Sequence, residues 1–114
     1  MLTIEMLKEF GANTEEGLGR CMNNEAFYLR MVGMGLDDKN FDTLKAAVEA
    51  GNVKEAFEAA HALKGVMGNL SLTPIYTPLS ELTEMLRGKD EMVDVSAELK
   101  TALEQLEKLR LLNA

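Results

Sequence analysis

One histidine occurs in this chain, and its downstream neighbours define its chemistry. His61 lies in the run AHALKGVMGNLSL, with Lys64 three residues on and Gly65 four residues on. A lone imidazole cannot build a multi-histidine metal site. It can act as a nucleophile, a general base or a phosphoryl carrier, because neutral imidazole is available near pH 7. On a helix, residues three and four apart share a face, so Lys64 and Gly65 sit one turn beyond the ring. Helical side chains lean toward the N-terminus, which aims the Lys64 ammonium back at the imidazole. Gly65 leaves bare backbone beside it. A nucleophile, a cation and steric clearance are what delivery of an anionic group to an imidazole requires.

The helix that must present these residues reads clearly. Ala56, Ala60, Leu63, Met67 and Leu70 recur at three- and four-residue spacing and define a core face. At 100° per residue, His61 lies about 100° from Ala60 and nearly opposite Leu70. Lys54, Phe57, Glu58, Lys64, Gly65 and Gly68 share its half of the helix. His61 is therefore expected to face solvent or a partner. Each glycine inside a helix costs about 1 kcal/mol relative to alanine. Two of them, Gly65 and Gly68, fall on the histidine side, which predicts close approach of something large to the backbone there.

This segment resembles the histidine-containing phosphotransfer domain, the HPt module of multistep two-component phosphorelays. The run that carries the resemblance is Ala60, His61, Ala62, Leu63, Lys64, Gly65, then Gly68 and Asn69, and the later LSELTEMLRGKD is similar to the family's next helix. Val66 and Met67 are bulkier than the residues common in the family, and Ser71 stands where a glycine is usual. The Thr73 to Pro78 stretch is also atypical. The resemblance implies that His61 takes a phosphoryl group, through Nε2, from an aspartyl phosphate on a receiver domain and passes it to another. It implies that Lys64 stabilises charge on the phosphoryl oxygens and that Gly65 and Gly68 give the receiver room. The implied partners are response-regulator receiver domains and a hybrid histidine kinase. Magnesium would belong to the receiver, and the chain itself would need neither metal nor other cofactor. Beside this, Glu58 is placed one turn before His61, where it is able to accept a hydrogen bond from Nδ1 and orient the ring. Phe57 either packs at the bundle edge or contacts the receiver.

The rest of the chain must fold to hold that helix. Its 114 residues fit one domain over 1–114, large enough to bury roughly two-thirds of the unfolded surface. Glycine, proline and asparagine divide it into helices. A first helix is predicted from after Thr3 to near Gly11, and Asn13 caps a weak second one. Asn24 caps a third that ends around Gly33 to Gly35. DDKNFDTLKAAVEAGN forms a fourth with Gly51 as its stop, and Asn52 caps the histidine helix from about Val53 to Leu70. The next is expected to start at Thr77-Pro78 and stop at Gly88; a start at Pro74 would put a kink at Pro78. The last spans about Met92 to Leu112, with Val95, Leu99, Leu103, Leu106 and Leu109 or Arg110 at helical spacing. Strand signals are nearly absent. The expected fold is all-α: an up-down antiparallel four-helix bundle with additional short N-terminal helices, connected by short loops.

Composition narrows the alternatives. The net charge is −7, which argues against nucleic acid and against an anionic membrane surface. No run of about 18 apolar residues exists to span a membrane, and the N-terminus has no secretory pattern. Cys21 is the sole cysteine, so an internal disulfide is excluded and a reducing cytoplasm is expected. The Met1 start and the complete bundle favour a free-standing protein, and a monomer is expected. HExxH, CxxC, EF-hand and GxxxxGK[ST] patterns are missing, so metal and ATP chemistry are not indicated. A Cys21–His61 nucleophile and base pair is a rival, but nothing in the sequence brings the two together. The stronger rival is a non-catalytic adaptor bundle that binds a signalling protein through the His61 face.

Overall fold

A computed structural model describes all 114 residues and contains seven helices and no strand. They are α1 (Ile4–Phe10), α2 (Thr14–Arg20), α3 (Glu25–Leu36), α4 (Asn40–Ala50), α5 (Val53–Asn69), α6 (Thr73–Leu86) and α7 (Ser96–Asn113). Local chemistry sets most of the starts. The side-chain oxygens of Asn13, Asn24 and Asn52 accept from the backbone N–H of Glu16, Phe27 and Glu55, each satisfying a donor that the first turn leaves free. Asn52 also donates to the Glu55 carboxylate. Gly51, at φ 71°, ends α4 in the left-handed region that favours glycine.

Helices α4 to α7 form the up-down antiparallel bundle. The connection from α4 to α5 is two residues long and that from α5 to α6 is three, so each must fold back on its predecessor. Helix α5 packs between α4 and α6, and α7 packs on α6. The predicted core face of α5 is buried: Ala56, Ala60, Leu63 and Met67 are inaccessible, and Ala59 joins them. Small residues at 56, 59 and 60 let the neighbouring helices come close. The α4–α7 seam stays partly open, leaving Val48, Leu99 and Leu103 half-buried along a groove rimmed by Lys45, Glu49 and Glu104.

Helices α2 and α3 tie down the C-terminal end of α5. Arg20 of α2 donates to the carbonyls of Gly68 at 2.9 Å and Asn69 at 3.3 Å, and to Ser71 Oγ at 2.8 Å. Ser71 Oγ in turn donates to Glu16, which pairs with Arg20. The last carbonyls of a helix have no intrahelical donor, and Arg20 supplies one. Ser71 sits at φ 57°, a backbone angle that accounts for glycine being usual at this place in the similar family. Tyr28 of α3 is fully buried, and its hydroxyl donates to the Leu70 carbonyl at 2.7 Å. Its ring lies against α2 at Gly17, where a Cβ would come within 2.6 Å. At the far end of α3, Arg110 of α7 donates twice to the Leu36 carbonyl.

Three boundaries differ from the sequence expectation. Helix α6 begins at Thr73, four residues before the predicted Thr77-Pro78 start. Leu72 and Ile75 are both inaccessible, and burying them requires the chain to reverse at Ser71 and turn helical at once. Pro74 then occupies the first turn and Pro78 lies inside the helix, where its missing N–H deprives the Pro74 carbonyl of a donor. Burial of Pro78 beside Ile75, Leu79 and Leu82 offsets that loss. Helix α7 starts at Ser96 rather than near Met92. Asp94 accepts from both the Ser96 N–H and its hydroxyl, at 3.0 and 2.6 Å, a local turn that competes with helix. These bonds hold the Asp94 carboxyl below its ordinary range. Helix α3 continues through Gly35 to Leu36. Gly35 is buried, and a Cβ there would meet Leu70 Cδ1 at 2.7 Å, so that glycine serves the crossing of α3 over α5 and does not end the helix.

Burial pushes the Tyr28 hydroxyl up from 10.0 to about 12. The folded chain thus holds this proton more tightly than the unfolded one, and the stability it contributes is present below pH 10 and lost as pH rises toward about 12. Tyr28→Phe is expected to lose about 1 kcal/mol at neutral pH, through the unpaired Leu70 carbonyl, and to lack that alkaline decline. Denaturant melts of both proteins at neutral and alkaline pH check both effects.

Candidate functional site

Helix α5 delivers His61 to the surface, as the periodicity predicts. The imidazole is exposed and makes no hydrogen bond to the protein, so both ring nitrogens are open to an incoming group. Its ring is nevertheless oriented. Phe57, one turn earlier and half-buried, lies parallel to it at 5° with centroids 5.8 Å apart. Offset aromatic stacking of this kind restricts the ring without occupying either nitrogen. Glu58 forms no hydrogen bond to the imidazole, and the ring's nearest aromatic neighbour is Phe57.

Lys64 and Gly65 occupy the positions the sequence implies. The Lys64 side chain is one-quarter exposed, its stem covered by the bundle, and its Nζ lies 3.7 Å from Glu84 Oε1 of α6. Gly65 is exposed, and a Cβ built there would meet nothing within 4 Å. The fold does not require glycine at 65, and the bare backbone beside the imidazole faces solvent. Gly68 is different. A Cβ there would stand 3.1 and 3.2 Å from the Tyr76 ring. Its missing side chain makes room for Tyr76 of α6, so the clearance predicted for a partner at Gly68 is used within the molecule.

Two residues of the LSELTEMLRGKD run, neither singled out in the sequence, complete the cluster. Glu84 and Arg87 lie on α6 and just beyond it, and the antiparallel return of α6 brings them alongside α5. Arg87 Nε donates to Glu84 Oε2 at 3.0 Å and Nη2 to Oε1 at 3.2 Å. Its guanidinium carbon stands 5.1 Å from the Phe57 centroid, within cation–π range. The Arg87 hydrogen bonds, followed by the charges of Arg87 and Lys64, hold the Glu84 carboxyl below its usual range, and the same pair raises Arg87. In sequence, the signal was an acid and a base 23 and 26 residues after His61, on the helix expected to run back beside it.

The arrangement is an exposed imidazole stacked on one aromatic ring, with a lysine and a bare glycine backbone one helical turn further on. It can receive an anionic electrophile, and Lys64 can meet its negative charge. Cys21 lies elsewhere, among Arg20, Met22, Asn24 and Phe27. No group of three or more His, Cys, Asp or Glu side chains converges as metal ligands would, and no helix is long and apolar enough to cross a membrane. Among known families, the sequence model described as "Hpt domain" matches residues 38–109, which run from just before α4 to near the end of α7. No curated protein and no solved structure matches the chain.

The contrast between the two glycines is measurable. Gly65→Ala is expected to stabilise the protein by up to about 1 kcal/mol, because only helix propensity changes. Gly68→Ala should gain less or lose stability, since the Tyr76 ring must shift by a few tenths of an ångström. Thermal melts of the two variants side by side decide it; equal gains would show that Tyr76 moves freely.

Proposed function

The chain belongs to the Hpt domain family, whose members are phosphocarrier modules of phosphorelays, working with receiver domains and histidine kinases and not themselves kinases; from that premise we propose that His61 is the residue that carries the phosphoryl group. An imidazole nitrogen of His61 attacks the phosphorus of an aspartyl phosphate on a response-regulator receiver. The nitrogen–phosphorus bond forms as the bond from phosphorus to the aspartate oxygen breaks, and the carboxylate leaves on the receiver. Transfer to a second receiver is the reverse of this step. The group enters from a hybrid histidine kinase through its receiver.

Phosphoryl transfer asks little covalent chemistry of a protein and depends on positioning and charge. Phe57 sets the plane of the ring, Lys64 meets the phosphoryl oxygens, and Gly65 admits the receiver's active-site loops. Magnesium is the receiver's contribution, and this chain holds no cofactor of its own. The reading puts the chain in the cytoplasm with its partners, acting as a monomer. The observation that carries it is the exposed, unbonded imidazole on a helix whose next turn brings Lys64 and the bare backbone of Gly65 to the same side.

The test is phosphoryl transfer from a panel of phosphorylated receivers of the same organism. His61→Gln should keep its helical circular dichroism and take up no acid-labile, base-stable phosphate. Such phosphate on that variant would remove the assignment, and a parent that binds receivers but is never labelled would be an adaptor. Lys64→Ala should still accept phosphate, but about tenfold more slowly, the worth of one partly exposed charge-assisted hydrogen bond. Gly65→Gln should melt no earlier than the parent yet transfer poorly with receivers, because transfer is sensitive to displacements of about 1 Å. Early melting of Gly65→Gln, or parental transfer, would show that Gly65 provides no clearance.

A further inference from the structure

Lys64 is not unattended. Glu84 Oε1 lies 3.7 Å from its Nζ, and a carboxylate that closed fully on Lys64 would withdraw this ammonium from His61. The same carboxylate has a second, closer cationic partner. Glu84 is committed to Arg87 by two N–H···O bonds at 3.0 and 3.2 Å, the two-pronged geometry that guanidinium and carboxylate favour. Arg87 is itself parked over the Phe57 ring. Lys64 Nζ is left at 3.7 Å from the same carboxylate, an ion-pair distance longer than a hydrogen bond.

Resting on the reading of His61 as phosphoryl carrier, we infer that Arg87 is a positioning residue that acts through Glu84, occupying the carboxylate so that Lys64 stays beside His61 and available to the phosphoryl group. Without Arg87, the Glu84 carboxylate turns to Lys64, and its uncompensated charge opposes the incoming phosphoryl anion. Removing the Glu84 charge as well abolishes both effects. Arg87 and Glu84 are about half exposed, so the effect is modest and screened by salt. It is also separable from any contact that Arg87 makes with a receiver, provided that no receiver is present.

The experiment therefore uses the full chain with phosphoramidate as donor. Its phosphorus–nitrogen bond breaks and ammonia leaves as the His61 nitrogen–phosphorus bond forms. The initial rate of phosphohistidine formation is measured for the parent, Arg87→Ala, Glu84→Gln and the double variant, with circular dichroism melts alongside. Arg87→Ala is expected to be about threefold slower than the parent. Glu84→Gln is expected to match or exceed the parent, and the double variant to recover at least the parental rate. The differences should shrink at high ionic strength. A double variant as slow as Arg87→Ala, or Arg87→Ala at the parental rate, overturns the inference and leaves the carrier reading intact. A parent that takes no phosphate on His61 from either phosphoramidate or receivers overturns both.

Discussion

The structure depends on what α5 does with its two faces. It is the one helix packed on both α4 and α6, so one side must be sealed, and it is sealed with alanines, Leu63 and Met67, all essentially inaccessible. That packing fixes the rotation of the helix about its axis. Once the rotation is fixed, His61 and Gly65 face solvent, with Phe57 and Lys64 half-buried at the edge of the same face. The end of α5 is fixed by different means. Arg20 and Tyr28 reach the carbonyls at its end from α2 and α3, so helices far from His61 in sequence hold the end of α5 in place. The N-terminal helices lie outside the matched family region at 38–109, yet they supply these bonds.

The electrostatics of the site run against the charge of the whole. The chain carries a net −7, a poor surface for receiving a phosphoryl anion. Locally, Lys64 and Arg87 place two cations around one carboxylate on the α5–α6 seam. At that cluster two positive charges meet one negative charge, against the acidic balance of the whole chain. Phe57 links the halves of the cluster, lying parallel to the imidazole and within reach of the guanidinium.

What could be read from the sequence was what is decided locally. The asparagine caps at 13, 24 and 52 work within one helical turn, and each lies where its helix begins. The core face of α5 comes from spacing alone, and so does the outward direction of His61. The features that were misplaced are tertiary. The early start of α6 is dictated by the burial of Leu72 and Ile75 against other helices, which no local rule for Thr77-Pro78 reveals. Apolar spacing continues backward from Leu99 through Val95, but the Asp94–Ser96 turn stops α7 there. Gly68 looks like a partner of Gly65 until Tyr76 is seen to fill its space. Glu84 and Arg87 read as ordinary surface charges because their meaning comes only from lying across the seam from Lys64. Glu58 has the right spacing from His61 and no bond to it, and the ring stacks on Phe57 instead.

The most direct measurement exploits the single histidine. Proton–nitrogen correlation spectra of uniformly labelled protein show one imidazole, and phosphorus NMR shows the attached group. After incubation with a phosphorylated receiver, the account predicts one phosphorus resonance of nitrogen-bound type, with shifted imidazole nitrogens and an otherwise unchanged helical spectrum. A phosphorus resonance of oxygen-bound type, or an imidazole that keeps its original resonances while the receiver loses its phosphate to this chain, would contradict it.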